Sequence, residues 1–265
     1  MRNYNPEGSA LRKDQLEMLK ALEAFARICR ENDIQWWLCS GTLLGAARHK
    51  GFIPWDDDMD ISMFDEDYKK LEKILVRMDD EDYFYQCIKS DPEHVNVFGK
   101  FRKKNDPVFA ADQRSKYFKY QGVGLDVFSL EKSNRFAAHM AKFLYQNLIH
   151  PTQYIKSRFW RHFAIKSVQL LNFGLLIPLC RLIGHINHKG QYRYKLGSGF
   201  YQCGFSAEDI LPLRTMEFEG IEFPVPGNTD AYLTKIYGDW RKLPSEEQIR
   251  KTMHYPLYIK EIFGE

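Results

Sequence analysis

Four aspartates, Asp56, Asp57, Asp58 and Asp60, fall within five residues of a stretch that runs from Gly51 to Met63. Carboxylates this close repel one another, so either some of them hold protons or a divalent cation neutralises the group. The neighbours Trp55, Met59, Ile61 and Met63 argue against a solvated acidic loop. Residues 58–63 alternate as a strand does, which predicts that Asp58 and Asp60 share one face while Met59 and Ile61 share the other. The same alternation turns Asp57 away from the pair, and Asp56 and Asp57 read as loop-shaping residues. Two carboxylates side by side at a strand end make a site for Mg²⁺, with Mn²⁺ as the alternative.

A second feature lies about sixteen residues upstream, at Ser40, Gly41 and Thr42. A small-residue turn between a strand and a helix lets backbone N–H groups approach a phosphate, and the following helix N-terminus favours its charge. Such a loop beside an Asp-x-Asp strand suits metal-dependent nucleotidyl or phosphoryl transfer. A third acid usually completes such a site, and Asp126 is the candidate. It sits among Val123, Leu125, Val127 and Phe128, where an uncompensated carboxylate would be costly. Glu131 is a weaker substitute. Arg48, His49 and Lys50 stand between the small-residue turn and the acidic strand and could grip phosphates, Arg48 foremost. Lys100 and Arg102 alternate on a predicted strand and could face the same cleft. Ordinary solvated charges are the alternative for each of these cations. Trp36, Trp37, Trp55, Tyr85, Tyr117, Tyr120 and Trp240 supply aromatics for a quaternary-ammonium cage, although most of them are expected in the core.

The elements that must position these groups read as a mixture of helices and strands. Residues 11–31 have helical period, residues 35–39 a short strand, and a short helix starts at Leu43. Asp65 is expected to cap the next helix. Paired strands are predicted at 83–89 and 95–103, and another strand at 123–128. Residues 216–225 form a hairpin turning at Glu219 and Gly220, Asn228 caps a helix, and residues 237–256 read as loop. The expected fold class is α+β, a mixed sheet core with a helical insertion. Three regions are expected: a catalytic core at 1–135, a helical subdomain at 136–205, and a hairpin and helix at 206–265 that return to the core.

The balance of the composition excludes some functions. A formal charge of +3 is too small to indicate nucleic-acid binding. Five scattered cysteines without CxxC spacing read as free thiols rather than a zinc site. The N-terminus has no apolar segment of the secretory type. Residues 170–184 are apolar but interrupted by Asn172, Gly174, Pro178 and Arg181, so this stretch is not expected to span a bilayer. Basic residues beside Phe159, Trp160 and Phe163, followed by leucines, fit either a helix lying in a membrane interface or an ordinary helical subdomain.

The run from Gly41 to Met63 resembles the signature of the LicD-type phosphotransferases, relatives of the fukutin family. Residues 122–128 resemble their second acidic strand, and Tyr237 to Pro244 together with His254 resemble their C-terminal motif. Residues 136–200 carry no matching motif. The resemblance implies a nucleotidyltransferase-like core that uses Mg²⁺. It further implies transfer of phosphocholine or another phospho-alcohol, such as ribitol phosphate, from a CDP-activated donor, with release of CMP. The acceptor would be a hydroxyl of a cell-surface glycan or lipid-linked oligosaccharide, of teichoic acid or lipopolysaccharide type. Asp58, Asp60 and Asp126 would be catalytic and hold the metal. Gly41, Thr42, Arg48, His49, Lys50, Trp55, Lys100, Arg102, Trp240 and His254 would bind substrate. The expected place of work is the cytoplasm, against the inner membrane face. The rival readings are a nucleotidyltransferase that attacks the α-phosphate of an NTP, and a non-catalytic glycan- or membrane-binding relative.

Overall fold

The computed structural model describes residues 3–107, 117–198 and 203–264. Helix α1 (Ala10–Glu31) opens the chain, and Ser9 caps it by accepting from the Arg12 N–H. Its buried stripe of Leu11, Met18, Leu22, Phe25 and Cys29 has helical spacing. Strand β1 (Trp37–Leu38) leads into α2 (Ser40–His49), then β2 (Asp60–Phe64), α3 (Asp65–Leu75), β3 (Tyr83–Gln86), β4 (Gly99–Pro107) and β5 (Gly122–Lys132). Strands run in the order β1-β2-β5-β4-β3, with β2 and β5 parallel and the other pairs antiparallel. The sheet is therefore mixed, as the α+β expectation requires.

Register, more than any single residue, builds the site. On β5, Leu125 and Val127 are fully buried and Asp126 points the other way. Asp60 pairs laterally with Asp126, and Lys100 on β4 is the opposite neighbour of Asp126. The three side chains thus form one row across three adjacent strands. Gly124, two residues before Asp126, faces Arg102, and a Cβ there would lie 2.8 Å from the Arg102 Cα and overlap the Phe101 carbonyl.

The region after β5 is largely helical. Helices α4 (Arg135–Leu144), α5 (Arg158–Leu171) and α6 (Ile177–His185) carry two small clusters of their own. A π-type turn at Asn172–Leu176 joins α5 to α6 into one continuous helix, Arg158–His185. That helix is long and apolar enough, by length and composition alone, to cross a membrane, but Arg161 and Gln169 on it are buried against the protein. The π turn absorbs Asn172 and Gly174, which therefore do not interrupt the helix. A strand missed in the sequence, β6 (Tyr192–Tyr194), follows and pairs with β5. Glu131 on β5 accepts from Arg181 at 3.0 Å and from the Leu196 N–H at 2.8 Å, so it fastens this region to the sheet.

The C-terminal part adds α7 (Ala207–Ile210), the hairpin β7 (Arg214–Phe218) and β8 (Ile221–Val225), then α8 (Thr229–Tyr237), α9 (Glu246–Thr252) and α10 (Pro256–Phe263). The hairpin turns where expected, and Asn228 caps α8. Helix α9 replaces part of the expected loop. A reciprocal cap between Ser245 and Gln248 starts it, a signal that the run of charged residues obscured. Further differences are small. Strand β2 begins at Asp60 rather than Asp58, α2 already begins at Ser40, and Asp65 lies inside α3 with Phe64 as its cap. Replacing Gly124 by Ala is expected to cost about 1–3 kcal/mol of stability by forcing β4 from β5. Chemical denaturation measures it, and an unchanged midpoint would contradict the close approach.

Candidate active site

A cleft of about 1430 Å³ opens over the carboxylate row. Asp56, Asp58, Asp60 and Asp126 all line it, joined by Lys100, Arg102, Arg48, Gly41, Trp55, Trp240 and His254. Asp58 precedes β2, yet the extended chain carries it to the same side as Asp60, because the Asp126 N–H already bonds to the Met59 carbonyl at 2.8 Å.

Burial and mutual repulsion raise the affinity of these acids for protons. The Asp60 carboxyl is pushed well above the usual range by burial, then by the charges of Asp58 and Asp126; the Gly41 N–H opposes this. Asp56 is pushed well up by burial and by Asp58, with which it shares a hydrogen bond. Asp58 is raised by burial, against the pull of His254. Asp126 is ion-paired with Lys100, as their register dictates.

The surroundings hold these acids in place. Ser40 takes a left-handed backbone (φ 47°) that turns the chain from β1 into α2. The Asp60 N–H donates to the Thr42 hydroxyl at 2.7 Å. The fully buried Gln15 on α1 donates to the Asp56 carbonyl at 2.9 Å. Arg12 pairs with Glu219, and Glu219 in turn accepts from the Phe52 N–H at 3.1 Å. Asp57 is buried and turned from the cleft, as expected. It accepts from the backbone N–H groups of His254 (2.6 Å) and Tyr255 (3.0 Å), and its other oxygen lies 2.8 Å from His254 Nδ1. The C-terminal segment is thereby pinned beside the acids. This contact raises the His254 pKa to about 9, with Asp58, 3.7 Å away, adding to the effect, so the imidazole is charged at neutral pH.

Several expectations need correction. Ser40, Gly41 and Thr42 form the first turn of α2 rather than a loop before it, and the Gly41 N–H is directed at Asp60. Thr42 is buried and supports β2 instead of lining the cleft. Lys50 ends α2 in a left-handed conformation and reaches out to Glu217 at 3.3 Å. His49 accepts from Arg48 Nε at 3.0 Å and lies behind it. Arg48 itself is half-buried, donates to the Trp240 carbonyl at 3.2 Å and sits 6.0 Å from the Trp55 ring. Arg102 lines the cleft but is committed to Gln86 and the Gly122 carbonyl, both at 2.8 Å. Glu131 is no substitute acid, since it is spent on Arg181 and Leu196. Asp56 was undervalued, for its carboxylate faces Asp58, and a Cβ on Gly41 would lie 2.8 Å from it.

Of the proposed cage aromatics, Trp55 and Trp240 line the cleft, whereas Trp36, Trp37 and Tyr85 are core. Tyr117 and Tyr120 pack against Arg161 and Phe84. Others were missed: Phe98, Phe128, Tyr145 and Tyr194 also line it. Strand alternation could have found two of them, because Phe98 is two residues from Lys100 and Phe128 two from Asp126.

Among the described residues, no three His, Cys, Asp or Glu side chains are gathered so as to hold a metal ion by themselves. The donor set nonetheless fits Mg²⁺. All its oxygens are hard, its charge is in excess, and Mg²⁺ commonly binds through one or two carboxylates and completes its shell with water and substrate phosphates.

A mixed sheet that carries paired carboxylates beside a helix N-terminus defines a nucleotidyltransferase-like core. The family model for the LicD/FKTN/FKRP nucleotidyltransferase domain matches residues 33–170, just over half the chain. The chain belongs to that family. It is 28% identical to the lipopolysaccharide cholinephosphotransferase LicD of Haemophilus influenzae over 96% of this chain and 97% of that protein. It is also 40% identical to the human ribitol 5-phosphate transferase FKRP over 60 residues, 21% of this chain and 12% of that one.

Raised carboxyl pKa values mean that the folded protein binds protons more tightly than the unfolded chain, so the cluster costs stability as pH rises above the ordinary carboxylate value. In EDTA at neutral pH, Asp58→Asn and Asp60→Asn are expected to melt about 2–4 °C above the wild type. Mg²⁺ should raise the melting temperature of the wild type but not of the variants. A fall in both variants without metal would contradict the repulsion. His254, whose pKa is also raised, shows the same direction with pH, but here it is the charged form that the fold favours, so it adds stability at neutral pH. Its contribution is complete below pH 6.5 and is lost as pH rises through about 9. His254→Asn should therefore flatten the decline of melting temperature across that window, and an unchanged profile would refute the pairing.

Proposed function

We propose that the chain is a Mg²⁺-dependent phosphotransferase that moves a phospho-alcohol, phosphocholine first among candidates, from a CDP-activated donor to a hydroxyl of a cell-surface glycan precursor. The observation that carries this reading is the row Asp60–Asp126–Lys100 facing a cleft with Asp58 and Arg48. Near full-length similarity to a lipopolysaccharide cholinephosphotransferase supports choline as the alcohol and a lipopolysaccharide-like acceptor. Mn²⁺ is the alternative metal.

Asp58 and Asp60, with Asp126, would hold the metal, which when bound neutralises the donor diphosphate. Arg48, whose charged form burial disfavours, gains most from an anion placed against it. Lys100 orients one oxygen of Asp126, and the same carboxylate, beside its metal contact, would take the proton of the acceptor hydroxyl. The acceptor oxygen attacks the phosphorus distal to cytidine, the bond from that phosphorus to the bridging oxygen breaks, and CMP leaves with the electron pair. His254, held charged by Asp57, would supply a cation for the leaving group's developing charge. Tyr145, Trp55 and Trp240, which line the cleft and are only partly buried, would offer ring faces for a trimethylammonium group.

Purified protein with CDP-choline, Mg²⁺ and a glycan acceptor is expected to release CMP in step with phosphocholine transfer. Asp60→Asn should lower kcat at least about 10²-fold. Pyrophosphate release from CTP, with CDP-choline untouched, would move the reading to nucleotidyl transfer. Full activity of Asp60→Asn would remove the metal assignment.

A further inference from the structure

From Ser133 to Ser206 the chain holds ten Lys and Arg residues and no Asp or Glu, although the whole chain is only +3. The positive charge is therefore concentrated in the helical region, and the remainder is net acidic. Lys142, Lys156, Arg158, Lys166 and Lys189 make no ion pair with any described residue.

The helix Arg158–His185 adds a second observation. In its first half Phe159, Trp160, Phe163, Leu170 and Leu171 are exposed, Leu170 by 78%. In its second half Leu179, Leu182 and Ile183 are exposed, and Ile186 follows just beyond the helix. At about 100° per residue these two sets would fall on different faces of an uninterrupted α-helix. The π turn at Asn172–Leu176 removes the offset, because a π turn inserts one residue and sets the phase back by about 100°. The exposed apolar residues of both halves then share one face. The same correction aligns the buried residues Arg161, Ile165 and Gln169 with Ile177, Cys180 and Gly184 on the opposite face. The turn thus keeps one face on the protein and one in the open along about 42 Å. His162, Lys166 and His185 flank the open face.

We infer that this face docks on the surface of an anionic lipid bilayer, with the helix in the plane of the interface. Aromatic and aliphatic side chains would enter the acyl boundary while the unpaired cations meet lipid phosphates. A transmembrane path is excluded by the opposite face. Arg161 is buried against Glu93 at 2.8 Å, and Gln169 donates to the His94 carbonyl at 3.0 Å, which fixes polar side chains of the helix to buried polar groups of the segment before β4. The segment just before it supplies Tyr145, Gln146, His150 and Gln153 to the cleft, so docking would bring the bilayer to the acceptor side of the site.

Vesicle binding needs no turnover, so its outcome is separate from that of the phosphotransfer reading. The full chain is sedimented with vesicles of phosphatidylcholine alone and of phosphatidylcholine mixed with phosphatidylglycerol. Binding is expected to the mixed vesicles, to fall with salt, and to be released by alkaline carbonate. The triple substitution Phe159→Ser, Trp160→Ser and Phe163→Ser, and separately Arg158→Glu with Lys166→Glu, should each weaken it about tenfold or more. Circular dichroism and CMP release on a soluble acceptor should be unchanged in both. Equal binding by both variants, or no binding, overturns the inference. Resistance to carbonate overturns it in favour of a spanning helix. A dimer in solution that the triple variant dissolves, without vesicle binding, overturns it in favour of a second copy.

Discussion

Parallel pairing of β2 with β5 places Asp60 and Asp126 side by side, and the rest of the site answers the repulsion this creates. Like charges at one strand spacing in a half-buried cleft disfavour each other's ionised form. Lys100, opposite Asp126 in the same register, offsets one charge, and the Gly41 N–H and the charged His254 offset others. Asp56 and Asp58 still crowd together, which leaves the cluster short of positive charge. A cation-bound diphosphate fits that deficit better than a neutral ligand would.

Holding such a cluster requires anchors from distant parts of the chain. Gln15 from the first helix, Glu219 from the hairpin and His254 from the C-terminal segment all bond to the loop carrying the aspartates or to its flanks. None of these contacts lies near its partner in sequence. The C-terminal segment is therefore part of the site, not an appendage, and Asp57 is its anchor: it does not itself line the cleft but fixes His254, which does.

Much of this was legible in the sequence. Alternation placed Met59 and Ile61 in the core with Asp58 and Asp60 opposite them, and an acid in the apolar run at 123–128 singled out Asp126. The pairing of Lys100 with Asp126 was not legible, because spacing gives the face of a strand but not its register against another strand. Thr42 looked like a phosphate ligand because its hydroxyl could serve either a ligand or the backbone, and here the Asp60 N–H takes it. Strand β6 escaped notice because three residues between basic and aromatic neighbours carry no periodic signal. The apolar stretch at 170–184 looked broken because a sequence pattern has no way to show a π turn.

In the proposed function the carboxylates and a divalent cation together bind the donor's diphosphate. Calorimetric titration of CDP-choline into the protein, with Mg²⁺ and again in EDTA, tests it most directly. The expected result is binding that requires Mg²⁺ and disappears in Asp58→Asn. Equal affinity with and without the metal would contradict the account.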